Sequence, residues 1–200
     1  MPAPASRPAP VSAAPLLTPP DFAAPAVILA GPVDNMMYDS FRAQFANAPR
    51  EGLVVVEVST LGGDPEVARI IGEDVRFESQ VAPARRIVFL GKAAVYSAGV
   101  TLMSWFAREN RYLTRGTRIM IHERQHSGAL TLSGSLTGCL ATLTAKLHEI
   151  EASIAIQNEG FQNLIAGSSV SYEDILRHAT DNWYLEAMEA QTLGLVEAVI

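Results

Sequence analysis

A single cysteine, Cys139, occurs in 200 residues. A lone thiol excludes an internal disulfide framework and a cysteine-built zinc cluster. Cys139 itself reads as a small core residue rather than a reactive thiol. Charge is sparse too: charged residues make up 18% of the chain, the net charge is −6, and the 15 basic residues are scattered. That pattern argues against a nucleic-acid partner. No apolar run approaches the ~20 residues that span a bilayer. Met1 is not followed by the basic and then apolar stretch of a secretory signal, so a soluble, cytoplasmic chain is the expectation.

Against these shortages stands a hydrophobic content of 48%. It suffices for one substantial core and predicts one domain. Residues 1–24 are Pro/Ala-rich and carry neither a helix nor a strand period, which predicts an extended or disordered arm. The folded domain is expected over residues 25–200.

Within that domain apolar runs alternate with amphipathic segments. Ala26–Ala30 reads as a strand closed by Gly31-Pro32. Asp34 or Asn35 caps a helix running to about Asn47, with Met37, Phe41 and Phe45 on one face. Leu53–Val58 is nearly all apolar, as in a strand covered on both faces. Asp64-Pro65 is a strong helix start, and the helix is expected to reach about Ser79 with Val67, Ile70, Ile71 and Val75 inward. Short strands follow at Ile87–Leu90, which Gly91 should end, at Arg111–Leu113 and at Arg118–Ile121. A glycine-spotted loop from Gln125 leads into a long helix whose stripe is Leu136, Leu140, Leu143, Leu147, Ile150, Ile154, Phe161 and Leu164. That stripe exceeds what one small core covers, so part of it should pack on a partner. A helix at about Tyr172–Ala179 and a strand at Leu195–Ile200 complete the reading. Strand–helix alternation implies an α/β fold with mostly parallel strands.

The rest is organised around IVFLGKAAVYSAGVTLMSWFA, Ile87 to Ala107. A buried strand hands over near Ser97 to a helix expected to continue to Ala107, with Val100, Leu102, Met103 and Phe106 inward. Unpaired amides and the helix dipole favour negative charge at that handover. Ser97 is therefore either a helix N-cap or a nucleophile whose oxyanion nearby amides stabilise. Gly62-Gly63, Ser97 and His122 each follow a predicted strand. In a parallel sheet such positions gather on one edge. That shared placement favours the nucleophile, with His122 taking its proton.

Leu61-Gly62-Gly63-Asp64, Ser97-Ala98-Gly99, Ile119-Met120-Ile121-His122, Glu189-Ala190 and Gly194-Leu195-Val196 occur in this order, and jointly they resemble the Clp-type serine proteases of the Clp/crotonase superfamily. The resemblance covers about Ala26 to Ile200. It implies a ClpP/crotonase-like spiral of ββα units with a long handle helix, and a serine-type endopeptidase activity. It makes Ser97 the nucleophile, His122 the base, and Gly62 or Gly63 with Ala98 the oxyanion hole, with no cofactor. It also implies a peptide or protein substrate and a homo-oligomer held through the long helix. No unfoldase ATPase partner is deducible.

The chain departs from the family pattern in three places. Val95-Tyr96 stands where the family has small residues, so a ring is expected to crowd Ser97 and, with Trp183, to line a substrate groove. Leu61 replaces a proline. Counting back from Glu189-Ala190 reaches Asn182, whereas the carboxylate, Asp181, lies one residue earlier. A one-residue bulge makes Asp181 the third triad member, which is the preferred reading; otherwise Asn182 orients the histidine.

Rival readings remain. His122-Glu123-Arg124-Gln125-His126 fits H-E-x-x-H, with Glu149 or Glu151 available as a third zinc ligand. The run before it reads as strand rather than helix, and Arg124 sets a cation between the ligands. His148 reads as a solvent-facing helix residue and His178 as a cation suited to a helix C-terminus. A non-catalytic Clp-like subunit and a crotonase-type acyl-CoA enzyme complete the alternatives.

Overall fold

The computed structural model describes residues 15–200. The greater part of the expected arm, residues 1–14, lies outside the described residues. Its last part is built into the fold: Pro19–Phe22 form a 3-10 turn opened by a capping box between Thr18 and Asp21. Phe22 is buried, its ring 4.9 Å from that of Tyr112.

Seven strands form one sheet: β1 (Val27–Ala30), β2 (Gly52–Thr60), β3 (Arg85–Tyr96), β4 (Arg111–Leu113), β5 (Arg118–Ile121), β6 (Trp183–Glu186) and β7 (Ala198–Val199). The main order is β1-β2-β3-β4-β7, with β5 beside β3 and β6 beside β5. All pairings are parallel except β5 with β6. The helices are α1 (Asn35–Asn47), α2 (Pro65–Val81), α3 (Ala98–Ser104), α4 (Leu136–Ile165), α5 (Tyr172–Ala179) and α6 (Ala187–Thr192). The α/β class is as expected. The larger core lies between the sheet and the helices, with Phe41, Val56, Ile71, Phe89 and Met103 in it. The smaller one, on the other sheet face, is Phe22, Val55, Val88, Leu90, Tyr112 and Ala198. The chain's entry segment thus covers that face.

Several boundaries differ from expectation. Gly91 does not end its strand: β3 continues to Tyr96. A Cβ at Gly91 would lie 2.5 Å from Leu113 and 2.8 Å from Val95, so the glycine answers a close approach, not a turn. Beyond it, Ala93 with φ 56° bends the strand. The first half of β3 then pairs with β4 and the second half with β5. The helix after Ser97 ends at Ser104 rather than Ala107, although Val100, Leu102, Met103 and Phe106 are buried as predicted. Ile70 faces outward at 46% exposure. Neither β6 nor α6 is legible in the periodicity, and the last strand is only Ala198–Val199.

Arg111 is a buried cation that ties together elements distant in the chain. Its guanidinium donates to the carbonyls of Ser104, the last residue of α3, of Phe106 just beyond it, of Asn163 and Leu164 at the end of α4, and of Leu195, over 2.7–3.2 Å. It satisfies helix C-terminal carbonyls that would otherwise be orphaned. Burial pulls its pKa down to about 10.

The long helix α4, 30 residues, has only Phe161 and Leu164 buried. Leu136, Leu140, Leu143, Leu147, Ile150 and Ile154 are exposed, from 40% at Ile150 to 89% at Leu136. At 1.5 Å per residue the helix extends about 45 Å, and its first two-thirds carry an uncovered apolar stripe. No helix among the described residues is long and apolar enough to cross a membrane.

Candidate active site

Three chain segments meet around Ser97. The residue joins β3 to α3 with φ 54° and ψ −115°, outside the region a serine ordinarily occupies. Such a conformation costs about 1–3 kcal/mol and persists where neighbours enforce it. Here the Ser97 N–H donates to Met120 O on β5 (2.9 Å), while the Ser97 carbonyl accepts from Val100 and Thr101 in α3. The strained link lifts the hydroxyl clear of the helix: Ser97 makes no side-chain cap bond. Its Oγ lies 2.6 Å from His122 Nε2. Ser97 thus stands at the N-cap position of α3 without its side chain capping the helix.

His122 leaves the end of β5. Desolvation by burial holds its pKa below the ordinary imidazole value, so at neutral pH the ring is unprotonated and able to accept the serine proton. Among the described residues nothing bonds its Nδ1. Neither proposed third member reaches it in this conformation. The antiparallel register pairs Ile121 with Trp183. One residue farther along each strand stand His122 and Asn182. Asn182 has φ 57°, a left-handed conformation asparagine tolerates better than most residues. Asp181 is exposed, and its N–H donates to His178 O (3.2 Å).

The glycine pair closes over the serine. Gly62 has φ 114°, and a Cβ there would sit 2.8 Å from Ser97 Cβ. Gly63 has φ 148°, and a Cβ would lie 2.3 Å from Val33 O. Neither position tolerates a side chain. The Gly62 N–H already donates to Thr60 Oγ1 (3.0 Å). Among the described residues the N–H groups of Gly63 and Ala98 bond to no protein acceptor, which leaves them available.

Beside Ser97 and His122 opens a pocket between α3, the end of β5 and the later half of α4, walled by Val100, Ile121, Ile156, Phe161 and Leu164. Arg124, Gln157 and Thr101 supply its polar edge. Arg124 and Gln157 escaped the sequence reading as pocket residues; the sole signal was the position of Arg124 two residues after the histidine. The Tyr96 ring packs edge-on against Tyr184 at 5.5 Å. Trp183 stacks on His178 at 4.7 Å. Neither Tyr96 nor Trp183 lines this pocket.

The zinc arrangement needs His122 and His126 one helical turn apart. The chain after Ile121 is irregular up to Ser135, so the two rings do not share a helix face. His122 Nε2 instead faces Ser97.

A family model described as Clp protease matches residues 22–200. Among solved structures, a point mutant of ClpP1 from Listeria monocytogenes superposes with a TM-score of 0.66 at 19% sequence identity, covering 87% of this chain and 90% of that one. That likeness establishes the ClpP-like fold. The family match spans the sheet, the strained serine link and the long helix together, so this chain belongs to the Clp protease family of serine peptidases.

Proposed function

We propose that the protein hydrolyses peptide bonds through Ser97, His122 and Asn182, with the N–H groups of Gly63 and Ala98 as the oxyanion hole. The observation that carries this is the 2.6 Å contact between Ser97 Oγ and His122 Nε2. As Ser97 Oγ attacks the scissile carbonyl, its proton passes to Nε2 and the carbonyl oxygen gains negative charge between the two amides. Collapse breaks the C–N bond, and His122 gives the proton to the leaving amine. Water then attacks the acyl-enzyme, losing a proton to His122, which returns it to Ser97 as the acid departs.

The strand register supports Asn182 over Asp181 as the partner of Nδ1–H. An amide oxygen there fixes the tautomer without adding charge. The test is a fluorophosphonate probe mapped by mass spectrometry. One adduct, on Ser97, is expected, lost in Ser97→Ala while the protein stays folded. A folded wild-type chain that takes no label between pH 6 and 9 would instead be a non-catalytic scaffold.

The exposed stripe on α4 supports a homo-oligomer. A contiguous apolar face of this length is unfavourable in water at about 25 cal/mol per Å². Leu143 and Ile150, at 44% and 40% exposure, are too open to be this subunit's core. Replacing both with Glu should therefore dissociate the assembly in sedimentation velocity and leave far-UV circular dichroism unchanged. A wild-type chain sedimenting as a monomer at micromolar concentration contradicts the oligomer.

A further inference from the structure

Arg124 follows the base by two residues and moves no proton, yet it joins three elements at the pocket. Its N–H donates to Gln157 Oε1 on α4 (2.7 Å), and its Nη2 donates to Glu66 Oε1 in the first turn of α2 (2.7 Å). The guanidinium is sheltered, with the side chain 19% exposed. The other Glu66 oxygen accepts from Arg69 Nη1 (2.7 Å). One carboxylate is thus shared between two guanidinium groups, so the three side chains together carry a net positive charge. Burial alone pushes the Glu66 carboxyl up, but the bonds from Arg124 and Arg69 outweigh it and hold the group below its usual range. Glu66 is therefore ionised at neutral pH, with both oxygens engaged.

Two of the residues that line the pocket, Gln157 and Arg124, keep uncommitted donors. Gln157 has given its oxygen to Arg124 and keeps its NH2, while Arg124 Nε and Nη1 bond nothing among the described residues. Thr101 donates or accepts as required. Apolar walls from Val100, Ile121 and Phe161 complete the surface. A leucine entering here leaves the N–H groups unpaired once water is expelled, and a lysine meets like charge. An apolar stem ending in an anionic acceptor satisfies both parts of the pocket. Resting on the peptidase reading above, we infer that Arg124 determines specificity, and that the pocket prefers glutamate on the acyl side of the scissile bond.

The experiment measures kcat/KM of the full-length protein on otherwise identical fluorogenic peptides with Glu, Gln, Leu or Lys before the coumarin amide. Glu should exceed Leu by about tenfold, the scale of one charge-assisted hydrogen bond, with Lys lowest. Arg124→Gln should bring the Glu-to-Leu ratio near one, Arg124→Lys should keep Glu ahead, and Arg124→Glu should move the preference toward Lys. Thermal unfolding checks that each variant is folded. A wild-type preference for Leu, or a ratio that neither Gln nor Glu at 124 alters, overturns the assignment. If no peptide turns over, labelling rates of Ser97 by glutamyl and leucyl diphenyl phosphonates give the same ratio. Absence of any Ser97 adduct defeats the peptidase reading, and the specificity with it.

Discussion

Asn182→Asp should raise kcat/KM at pH 8 by at least about tenfold, because removing the carboxylate from a serine triad costs up to about 10⁴. Asn182 stands one residue beyond the Ile121–Trp183 pair, as His122 does on the facing strand. The replacement is nearly isosteric, and aspartate tolerates the left-handed backbone there about as well. A neutral amide can accept from Nδ1–H, but it stabilises a developing imidazolium far less than a carboxylate does. The pH profile should move as well. Burial holds the His122 pKa down in the wild type, so the neutral base persists into mildly acidic solution. A carboxylate beside the ring favours the charged form and raises that pKa. The acidic limb of kcat/KM should then shift to higher pH, and the gain should shrink as pH falls. If Asn182→Asp has no effect while Asp181→Asn abolishes turnover, the third member is Asp181.

Arg111→Met should destabilise the fold by about 3–5 kcal/mol, because several buried carbonyls lose their donor at about 1–3 kcal/mol each while the cost of burying the charge is relieved. For a chain of this size that corresponds to a fall in Tm of roughly 6–20 °C. The charge itself is unfavourable where it sits, since burial draws its pKa to about 10 and no carboxylate bonds it among the described residues. Its bonds to the ends of α3 and α4 and to Leu195 offset that cost. Methionine fills the volume but leaves those carbonyls without a donor in a site water cannot enter easily. Arg111→Lys should recover only part of the loss, because an ammonium lacks the planar fork that spans five acceptors. Thermal unfolding followed by circular dichroism decides it. A methionine variant within about 1 kcal/mol of wild type would show that the carbonyls find other partners.

Much of this architecture is legible in the sequence, and the reasons are local. Asp34 caps α1 by accepting from Met37 N–H, and Asp64 opens α2 ahead of Pro65, both as the residues predict. The placement of Ser97, His122 and the glycines follows from their position after strands. Gly91 misleads because a close-packing glycine and a turn glycine look alike in sequence. Trp183–Glu186 escapes because a four-residue antiparallel strand at the sheet's margin carries too few residues for a period. Gly62 and Gly63 are indistinguishable as donors until the Thr60 hydroxyl is seen to occupy one amide. The pocket's polar edge is hidden for a different reason: Arg124, Glu66 and Gln157 meet only through tertiary contact, across 58 and 33 residues of chain.

The position of β6 in the chain has a temporal consequence. Domains form as the chain emerges, N-terminus first, at about 5–20 residues per second. Gly63, Ser97 and His122 all precede α4, yet β5 gains its outer neighbour only when Trp183–Glu186 arrives. β4 likewise waits for Ala198 and Val199. A nascent chain therefore carries Ser97 and His122 for tens of residues without the strand that flanks them, and the site of the proposed hydrolysis is incomplete until β6 has been made.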